Sequence, residues 1–507
     1  MEGECQANFC DGVRSFAYLD CTAYPGCETP IDMPENCGGC GVHAVTAANT
    51  SADCTCGGAC DVSMCQIGFG NCDHEQPDCE TAYTVGSPSC MPSEHARSCT
   101  QVDAVLWSGA AFAADGAYYL MGWYGATVDL DPSEGTDIRT PASFVGENFL
   151  SKFDATGKYL WSRILPGPSA LRPQALTMTA SGELAFLSNT DSGRSVGMLS
   201  AEGELRWLHT FAANVPAGSG GAMRAMTTDA SGSLYVAGEF IGELDLDPGP
   251  GTLTVASEQS AGFVASFNAA GELRWGRALS SGTDCTSSVS DLAVHGSQLV
   301  SVGYLRGTCS FAQSTSNETQ LVAGASGAAF IELSDVDGYP GRALFLNSNE
   351  FSGVGGPPTQ AGSVVVGADA IYVGGSFSGQ VDFDPGPGVS LRGSAGPRPF
   401  VLKLTSDGAF AWVRSLHGGA GLTLAPDGGV VAIGAAFEPT VTAQGVSWRD
   451  GPFSVTALNV DGSPAWTFDP HMGSTVRVVA STSEQFMLAG DYDGDCASPV
   501  VRFTWPR

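Results

Sequence analysis

Aspartate pairs separated by one apolar residue and followed by proline recur in three places in this chain. They are Asp129-Leu-Asp131, Asp245-Leu-Asp247 and Asp382-Phe-Asp384. A related acidic run, Asp491-Tyr-Asp493-Gly-Asp495, lies near the C terminus. Hard cations such as Ca²⁺ bind clusters of oxygen ligands, which alternating carboxylates around a glycine turn can supply. The candidate metal ligands are therefore nine aspartates: Asp129, Asp131, Asp245, Asp247, Asp382, Asp384, Asp491, Asp493 and Asp495.

The same aspartates have a simpler interpretation. An aspartate beside a Pro-Gly turn commonly accepts hydrogen bonds from the backbone of its own turn. For the three proline-containing loops we prefer this capping role over metal binding. For residues 491–495 capping and Ca²⁺ binding both stay open, although the run lacks the downstream bidentate glutamate of an EF-hand loop.

Cysteine content indicates an oxidising compartment. The chain has 17 cysteines, and most of them lie between Cys5 and Cys99. Such a density is typical of secreted or surface proteins. The first ten residues contain neither the basic start nor the apolar segment of a signal peptide, so we expect any leader or lipobox to lie outside this sequence.

Residues 1–98 are predicted to form a loop-rich module held by disulfides. Cys21 and Cys27 recur as Cys72 and Cys79, so the module consists of two repeats of about 51 residues. A segment so poor in core residues needs covalent links. The alternative is a zinc site at Cys37-Gly-Gly-Cys40 with Cys54 and Cys56, but the cysteine spacing of zinc ribbons and fingers is absent from the sequence.

Three cysteines follow Cys99. Cys285 precedes one repeat strand and Cys309 follows its antiparallel neighbour, so we predict a disulfide between Cys285 and Cys309. Cys496 occupies the position equivalent to Cys309 in the last repeat, and Cys99 is its candidate partner. Because 17 is odd, one thiol is free or pairs outside this sequence.

The elements that position these residues are repeats. A glycine is followed four residues later by tryptophan in five places, within phrases such as FVASFNAAGELRWGR. Each unit reads as four short strands, a to d, with hairpin turns between a and b and between c and d. Counting the apolar strand b gives seven units, at 118–122, 183–187, 234–238, 299–303, 371–375, 430–434 and 486–490.

The predicted fold is all-β, a seven-bladed β-propeller over residues 99–507 preceded by the small disulfide-rich module. The last unit lacks strand d, which we expect from residues around 98–106, so that the ring closes and hides its edge strands. The b–c and d–a loops of such blades share one side of the disc, so the nine aspartates should rim one face. The tryptophans are expected to pack between neighbouring blades, with sugar stacking as the alternative.

Charge excludes some classes of partner. The net charge is −31, from 53 acidic and 22 basic residues. Nucleic-acid binding needs a basic footprint, which is absent, and anionic membranes would repel this chain. The most apolar stretch, 104–123, is interrupted by Asp115 and glycines, so no membrane insertion is expected. Sequence motifs of metalloproteases, serine hydrolases and P-loop enzymes are absent.

The unit DFDPGPG…FVLKLTSDGAFAWVRSL resembles the repeat of bacterial secreted β-propeller (SBBP-like) proteins, over about four-fifths of the chain. The N-terminal phrases CET and NCGGCG resemble cysteine-rich modules of myxobacterial surface proteins and lipoproteins. The resemblance implies a secreted or surface-anchored propeller, and it supplies no catalytic residues. WD40 and kelch signatures are absent.

From these observations we predict a non-enzymatic secreted or cell-surface recognition or adhesion protein. Its propeller face would bind extracellular glycan or protein, with Ca²⁺ as the only cofactor considered and with no nucleic-acid partner. Two alternatives come from other classes: a carbohydrate-active propeller enzyme, a hydrolase or lyase with paired acids on the face, and a structural matrix component.

Overall fold

Every regular element in the described part of the chain is a β-strand. The computed structural model describes residues 105–504, except 134, 143–145, 166–171, 191–192, 213–221, 283, 312–317, 324–326, 350–358, 417–420, 443–444, 469–475, 483–484 and 491–499. It also describes short paired strands nearer the N terminus. These residues contain no helix, and hence none that could cross a membrane.

Six blades are each built from four antiparallel strands that lie side by side in the order a-b-c-d. Blades 1 to 3 comprise Val105–Phe112, Tyr118–Tyr124, Glu147–Phe153 and Tyr159–Ile164; Arg172–Met178, Leu184–Thr190, Gly193–Leu199 and Leu205–Ala212; and Ala222–Thr228, Leu234–Asp245, Thr254–Phe267 and Leu273–Ala278. Blades 4 to 6 comprise Thr286–His295, Gln298–Arg306, Ala328–Asp335 and Arg342–Asn349; Thr359–Val366, Ala370–Asp382, Leu391–Thr405 and Phe410–Ser415; and Gly421–Leu424, Val430–Thr442, Gly445–Leu458 and Pro464–Phe468.

The end of the chain forms a different kind of sheet. Val476–Ser481, Gln485–Gly490 and Val500–Thr504 are consecutive strands, and the two-residue strand Ser93–Glu94 pairs with the last of them. The predicted count of seven is therefore corrected to six complete blades plus this composite sheet. The expected closing strand before blade 1 is present at Ser93–Glu94, earlier than the predicted 98–106. Val105 and Leu106 belong to the first strand of blade 1, and residues 98–104 lie outside the described residues.

The hydrophobic core is divided among the spaces between adjacent blades. One cluster joins Leu187 and Met198 of blade 2 to Val236 and Phe263 of blade 3. Comparable clusters lie between every other pair of neighbours from blade 1 to blade 6. Strands b and c are apolar on both faces because each face packs against a different neighbour.

A glycine within strand b lies opposite a bulge in strand a. In blade 4 the register shifts between Val289 and Asp291, opposite Gly303. A Cβ at Gly303 would overlap the carbonyl of Ser288, so this position tolerates only glycine. Bulges lie at the equivalent point of strand a in blades 1, 2, 3 and 5. The bulge strengthens the local twist of each innermost strand.

Paired strands of the N-terminal module are few and short. Thr50–Cys54 pairs with Cys60–Cys65, Tyr18–Leu19 pairs with Thr29–Pro30, and Phe69–Gly70 pairs with Thr81–Ala82. Phe69–Gly70 also pairs with strand d of blade 6, through Gly70 and Trp466. The predicted zinc ligands and the Cys99–Cys496 pair lie outside the residues whose side chains are described.

Candidate functional site

Hairpin arms extend strands b and c beyond the body of the blade, and we treat them as the candidate recognition site. Arm 1 spans residues 128–139, arm 3 spans 242–257 and arm 5 spans 379–394. In arms 3 and 5 the extension follows a bulge at Ile241 and at Ser378. Each arm ends in one of the three Asp-x-Asp-Pro loops, so the sequence motif marks the arm tips.

The first aspartate of the motif closes the loop by accepting two backbone hydrogen bonds. In arm 3, Asp245 Oδ1 accepts from Asp247 N at 3.0 Å and from Leu253 N at 2.8 Å. Leu246 N donates to the carbonyl of Leu253 at 2.9 Å and completes the closure. The same pattern recurs around Asp129, with distances of 3.1 and 2.7 Å, and around Asp382, with distances of 3.0 and 2.8 Å.

The second aspartate caps the turn that follows it. Asp247 Oδ1 accepts from Gly249 N at 2.8 Å, and Asp384 Oδ1 accepts from Gly386 N at 2.7 Å. Asp131 Oδ1 accepts from both the amide and the hydroxyl of Ser133. A Cβ at Gly251 would overlap the Asp247 carboxylate, so the glycine four residues after the second aspartate is part of the cap.

The apolar residue between the two aspartates anchors the tip. Leu130, Leu246 and Phe383 are all buried, with Phe383 packed at 4.8 Å between ring centroids against Phe400. Each loop is thus held by an apolar residue directed inward and two carboxylates bound to its own backbone. This arrangement matches the capping interpretation of the three loops.

The predicted metal ligands divide into the arm-tip aspartates and residues 491–495, and the metal prediction stays open. Within the described residues, no three His, Cys, Asp or Glu side chains converge closely enough to hold a metal ion. The six aspartates of the arm tips are brought together only in pairs, inside their own loops. Asp491, Asp493 and Asp495 lie outside the described residues, so the Ca²⁺ loop there stays a prediction.

The arms of blades 4 and 5 are linked to the neighbouring blades. Arm 4 is the hairpin in which Thr308–Phe311 pairs with Thr319–Val322. Ser280–Ser281, which follows blade 3, pairs with Thr308–Phe311 of this arm. The predicted disulfide is present beside this pairing, with Cys285 Sγ 2.07 Å from Cys309 Sγ. Asn347–Asn349 at the end of blade 4 pairs with Gln380–Asp382 at the base of arm 5. These links fix the arms of blades 4 and 5 relative to the ring.

The arm tips expose apolar side chains. Val389 in arm 5 is 72% exposed and Ile138 in arm 1 is 65% exposed. Exposed proline and glycine surround Val389, at positions 386–388. A recognition protein needs such uncovered groups on a backbone that does not move when a partner binds.

The opposite ends of the blades carry the glycine-tryptophan turns, which are structural. Gly271 in blade 3 has φ of 84°, and a Cβ there would lie 2.7 Å from the indole of Trp207 in blade 2. The Trp207 Nε1 donates to the carbonyl of Ala269 in the same turn at 3.0 Å. Trp275 and Trp412 bind the next blade in the same way, through the carbonyls of Val336 and Val460. The expected packing role of these tryptophans is confirmed.

Two of the three lysines reinforce these junctions. Lys152 Nζ lies 5.1 Å from the ring centre of Tyr119, and both side chains donate to the carbonyl of Ala201 in blade 2. Lys403 lies over Tyr372 at 5.3 Å and donates to the carbonyl of Val460 at 2.6 Å. The scarce positive charge of this acidic chain is thus placed between blades.

A buried ion pair joins blades 3 and 4. Arg277 donates to both carboxylate oxygens of Glu332, at 3.0 and 3.1 Å, and Glu332 is fully buried. Burial raises the pKa of Glu332, and the charge of Arg277 opposes that rise. The sequence analysis missed this pair, although a glutamate inside the apolar run AAFIEL was a signal that Glu332 needed a partner.

Blade 1 contains a second polar cluster that the sequence analysis did not identify. Tyr124 donates to Glu147 at 2.6 Å, and Tyr159 donates to Asp137, which also binds Arg139. Burial, followed by the hydrogen bonds to these carboxylates, raises the pKa of both tyrosines. Both phenols therefore stay protonated and act as donors that hold the base of arm 1.

Comparison with known proteins gives structural neighbours only. No protein-family model matches the sequence, and no curated protein matches it. The chain is similar in structure to virginiamycin B lyase from Staphylococcus aureus (10% identity, 80% of this chain, 95% of that chain, TM-score 0.41) and to the Neurospora crassa Pan2 WD40 domain (13% identity, 80% of this chain, 90% of that chain, TM-score 0.41). It is also similar to the Dos1 propeller (10% identity, 79% of this chain, 92% of that chain, TM-score 0.37). These values support no inference about function.

Proposed function

We propose that this protein is a non-enzymatic recognition protein of the cell surface or extracellular space. Its ligand would be an extracellular glycan or protein, bound through the tips of arms 1, 3 and 5. The proposal rests on one observation above all, that the arm-tip aspartates are occupied in capping their own loops. These carboxylates therefore hold the shape of a surface in place.

Rigid arms favour binding because little conformational entropy is lost when a partner docks. Immobilising a flexible side chain or loop at an interface opposes association, and pre-organised loops avoid most of that cost. The caps at Asp245 and Asp382 and the pairing of Asn347–Asn349 with Gln380–Asp382 supply this pre-organisation. The exposed Val389 and Ile138 supply apolar contact area.

The composite terminal sheet is proposed to close the ring of six blades. The first strands of successive blades pack against one another in chain order, and Val476–Ser481 packs against both Gly421–Leu424 and Val105–Phe112. Met487 of this sheet belongs to the same core cluster as Leu120 and Phe149 of blade 1. A closed ring would remove the open edges of the array.

We propose that the protein is exported from the cell, on the basis of its disulfide chemistry. The bonded pair Cys285–Cys309 and the cysteine-rich N-terminal module both need an oxidising compartment to persist. Ca²⁺, if it binds residues 491–495, would rigidify the same side of the ring as the arms.

The test is binding to an array of neutral and acidic glycans and to immobilised extracellular matrix protein, with and without Ca²⁺. The double variant Ile138→Ser/Val389→Ser should lose most binding. The control Tyr339→Ser alters an equally exposed residue, 72% exposed, in a c–d turn at the other end of the blades. Equal loss in both variants would contradict arm-tip recognition. Turnover of a polysaccharide would show an enzyme instead, and ordered self-assembly without ligand would show a matrix component.

A further inference from the structure

Asp291 lies at the junction between the innermost strands of blades 4 and 5. It directly follows the bulge in Thr286–His295, where its Oδ1 accepts from Leu292 N at 2.8 Å. Its Oδ2 accepts from Val364 N of blade 5 at 2.9 Å, and the Ser363 hydroxyl also bonds to the carboxylate. One carboxylate thus replaces the backbone ladder that two edge strands of neighbouring blades cannot form.

The contacts of Ser363 extend this junction to a third blade. Its Oγ accepts from Leu422 N of blade 6 at 3.2 Å. A hydroxyl oxygen can accept two hydrogen bonds and donate one. The ionised Asp291 therefore receives the Ser363 proton, while Ser363 receives the Leu422 amide.

Within the described residues, no charged side chain forms an ion pair with Asp291. Burial raises its pKa to about 6, and the hydrogen bonds from Val364, Leu292 and Ser363 oppose that rise without cancelling it. The charged groups on its own strand and on the strands packed against it have no resolved effect on this pKa; they are His295, Arg306, Arg224, Glu239, Glu243, Asp245 and Glu258. Strand Thr359–Val366 carries no charged residue.

We propose that Asp291 joins blades 4, 5 and 6 in a proton-dependent way. The junction becomes more stable when the surroundings become mildly acidic. On protonation the new O–H is donated to Ser363 Oγ, which can still accept from Leu422 N. The hydroxyl of Ser363 then points elsewhere, and both backbone amides keep their acceptors. The charge is removed and every contact between blades is kept.

The sign of the effect follows from linkage. A carboxyl has a pKa near 3.9 in an unfolded chain, so between about pH 4 and 6 the folded protein holds a proton that the unfolded chain releases. Stability from this group is therefore gained as the pH falls through 6 and is absent above it. Going from pH 7.5 to 5 should raise the folding equilibrium constant by up to about tenfold.

The experiment compares denaturant midpoints of the full chain from pH 4.5 to 8. The difference in denaturant midpoint between wild type and Asp291→Asn should change in a step near pH 6. The control Asp369→Asn, at an exposed aspartate of blade 5, should keep the pH profile of the wild type. In Ser363→Ala the step should move to higher pH, because the hydrogen bond that is lost is stronger to the ionised carboxylate than to the protonated carboxyl. Identical pH profiles for wild type and Asp291→Asn would overturn the proposal. If Asp291→Asn does not fold, an unmoved step in Ser363→Ala overturns it.

Discussion

Trp412 of blade 5 donates from Nε1 to the carbonyl of Val460 in blade 6, at 3.0 Å. The acceptor lies in a turn whose glycine, Gly462, packs beneath the same indole. Lys403 donates to the same carbonyl at 2.6 Å, and Arg414 Nε donates to the carbonyl of Gly462 at 2.9 Å. One turn of four residues therefore receives three donors from the preceding blade.

The first prediction concerns this turn. Gly462→Ala should destabilise the protein by about 2–4 kcal/mol, because the positive φ costs about 1–2 kcal/mol and overpacking against the indole costs more. A Cβ there would lie 2.7 Å from Trp412 Cδ2. Thermal or denaturant unfolding measures the loss.

Gly428→Ala is the matched control. Gly428 lies in the other turn of blade 6 with φ of 86°, against 82° at Gly462, but its Cβ would meet nothing closer than Val460 Cγ2 at 3.7 Å. It should show the φ cost alone. Equal losses at the two glycines would show that the tryptophan contact adds nothing.

The second prediction concerns the buried ion pair. Glu332→Gln should cost about 3–5 kcal/mol, since it leaves the Arg277 guanidinium without its charge partner inside the protein. The double variant Arg277→Met/Glu332→Leu should recover most of that loss. A double-mutant cycle by denaturant unfolding gives the coupling, and additive losses would contradict direct pairing.

The third prediction concerns the disulfide between Cys285 and Cys309, which links arm 4 to the segment that follows blade 3. Cys285→Ala/Cys309→Ala should lose about 3 kcal/mol, because the bond closes a loop with a sequence separation of 24. Measurement without reductant keeps the N-terminal cysteines unchanged in both proteins. Unchanged unfolding would mean that the sheet pairing of Ser280–Ser281 is sufficient to hold the arm.

The fourth prediction separates capping from metal binding. Asp382→Ala should lower stability by about 1–3 kcal/mol, since two backbone amides lose their acceptor, and should leave any heat of Ca²⁺ binding unchanged. Asp493→Asn should abolish that heat in a calorimetric titration. An unchanged isotherm for Asp493→Asn would remove residues 491–495 as a Ca²⁺ site.

Most features that could be predicted from the sequence depend on residues that lie close together in the chain. The strand b segments, the glycine turns and the Cys285–Cys309 pair were predictable because each depends on a period of two, a positive φ or a short antiparallel approach. The arm tips were predictable as caps, since an aspartate and its Pro-Gly turn lie within ten residues of each other.

Contacts between blades were not predictable from one sequence. Nothing near Trp207 in the chain indicates that its acceptor is Ala269, 62 residues away. Asp291 looks like an ordinary strand residue until blade 5 brings Val364 to it, 73 residues further on. The short strand Ser93–Glu94 was missed because so few residues give no periodic signal.

The glycine-tryptophan repeat has a consequence for how this ring can change in evolution. Trp207, Trp275 and Trp412 each donate to a turn carbonyl of the following blade, so these three junctions are chemically interchangeable. Duplication or deletion of a whole unit would place one indole donor beside one turn carbonyl. The number of units could therefore change without a new kind of contact. Blade 4, where Leu344 stands against Gly408, is the place where that interchange would fail.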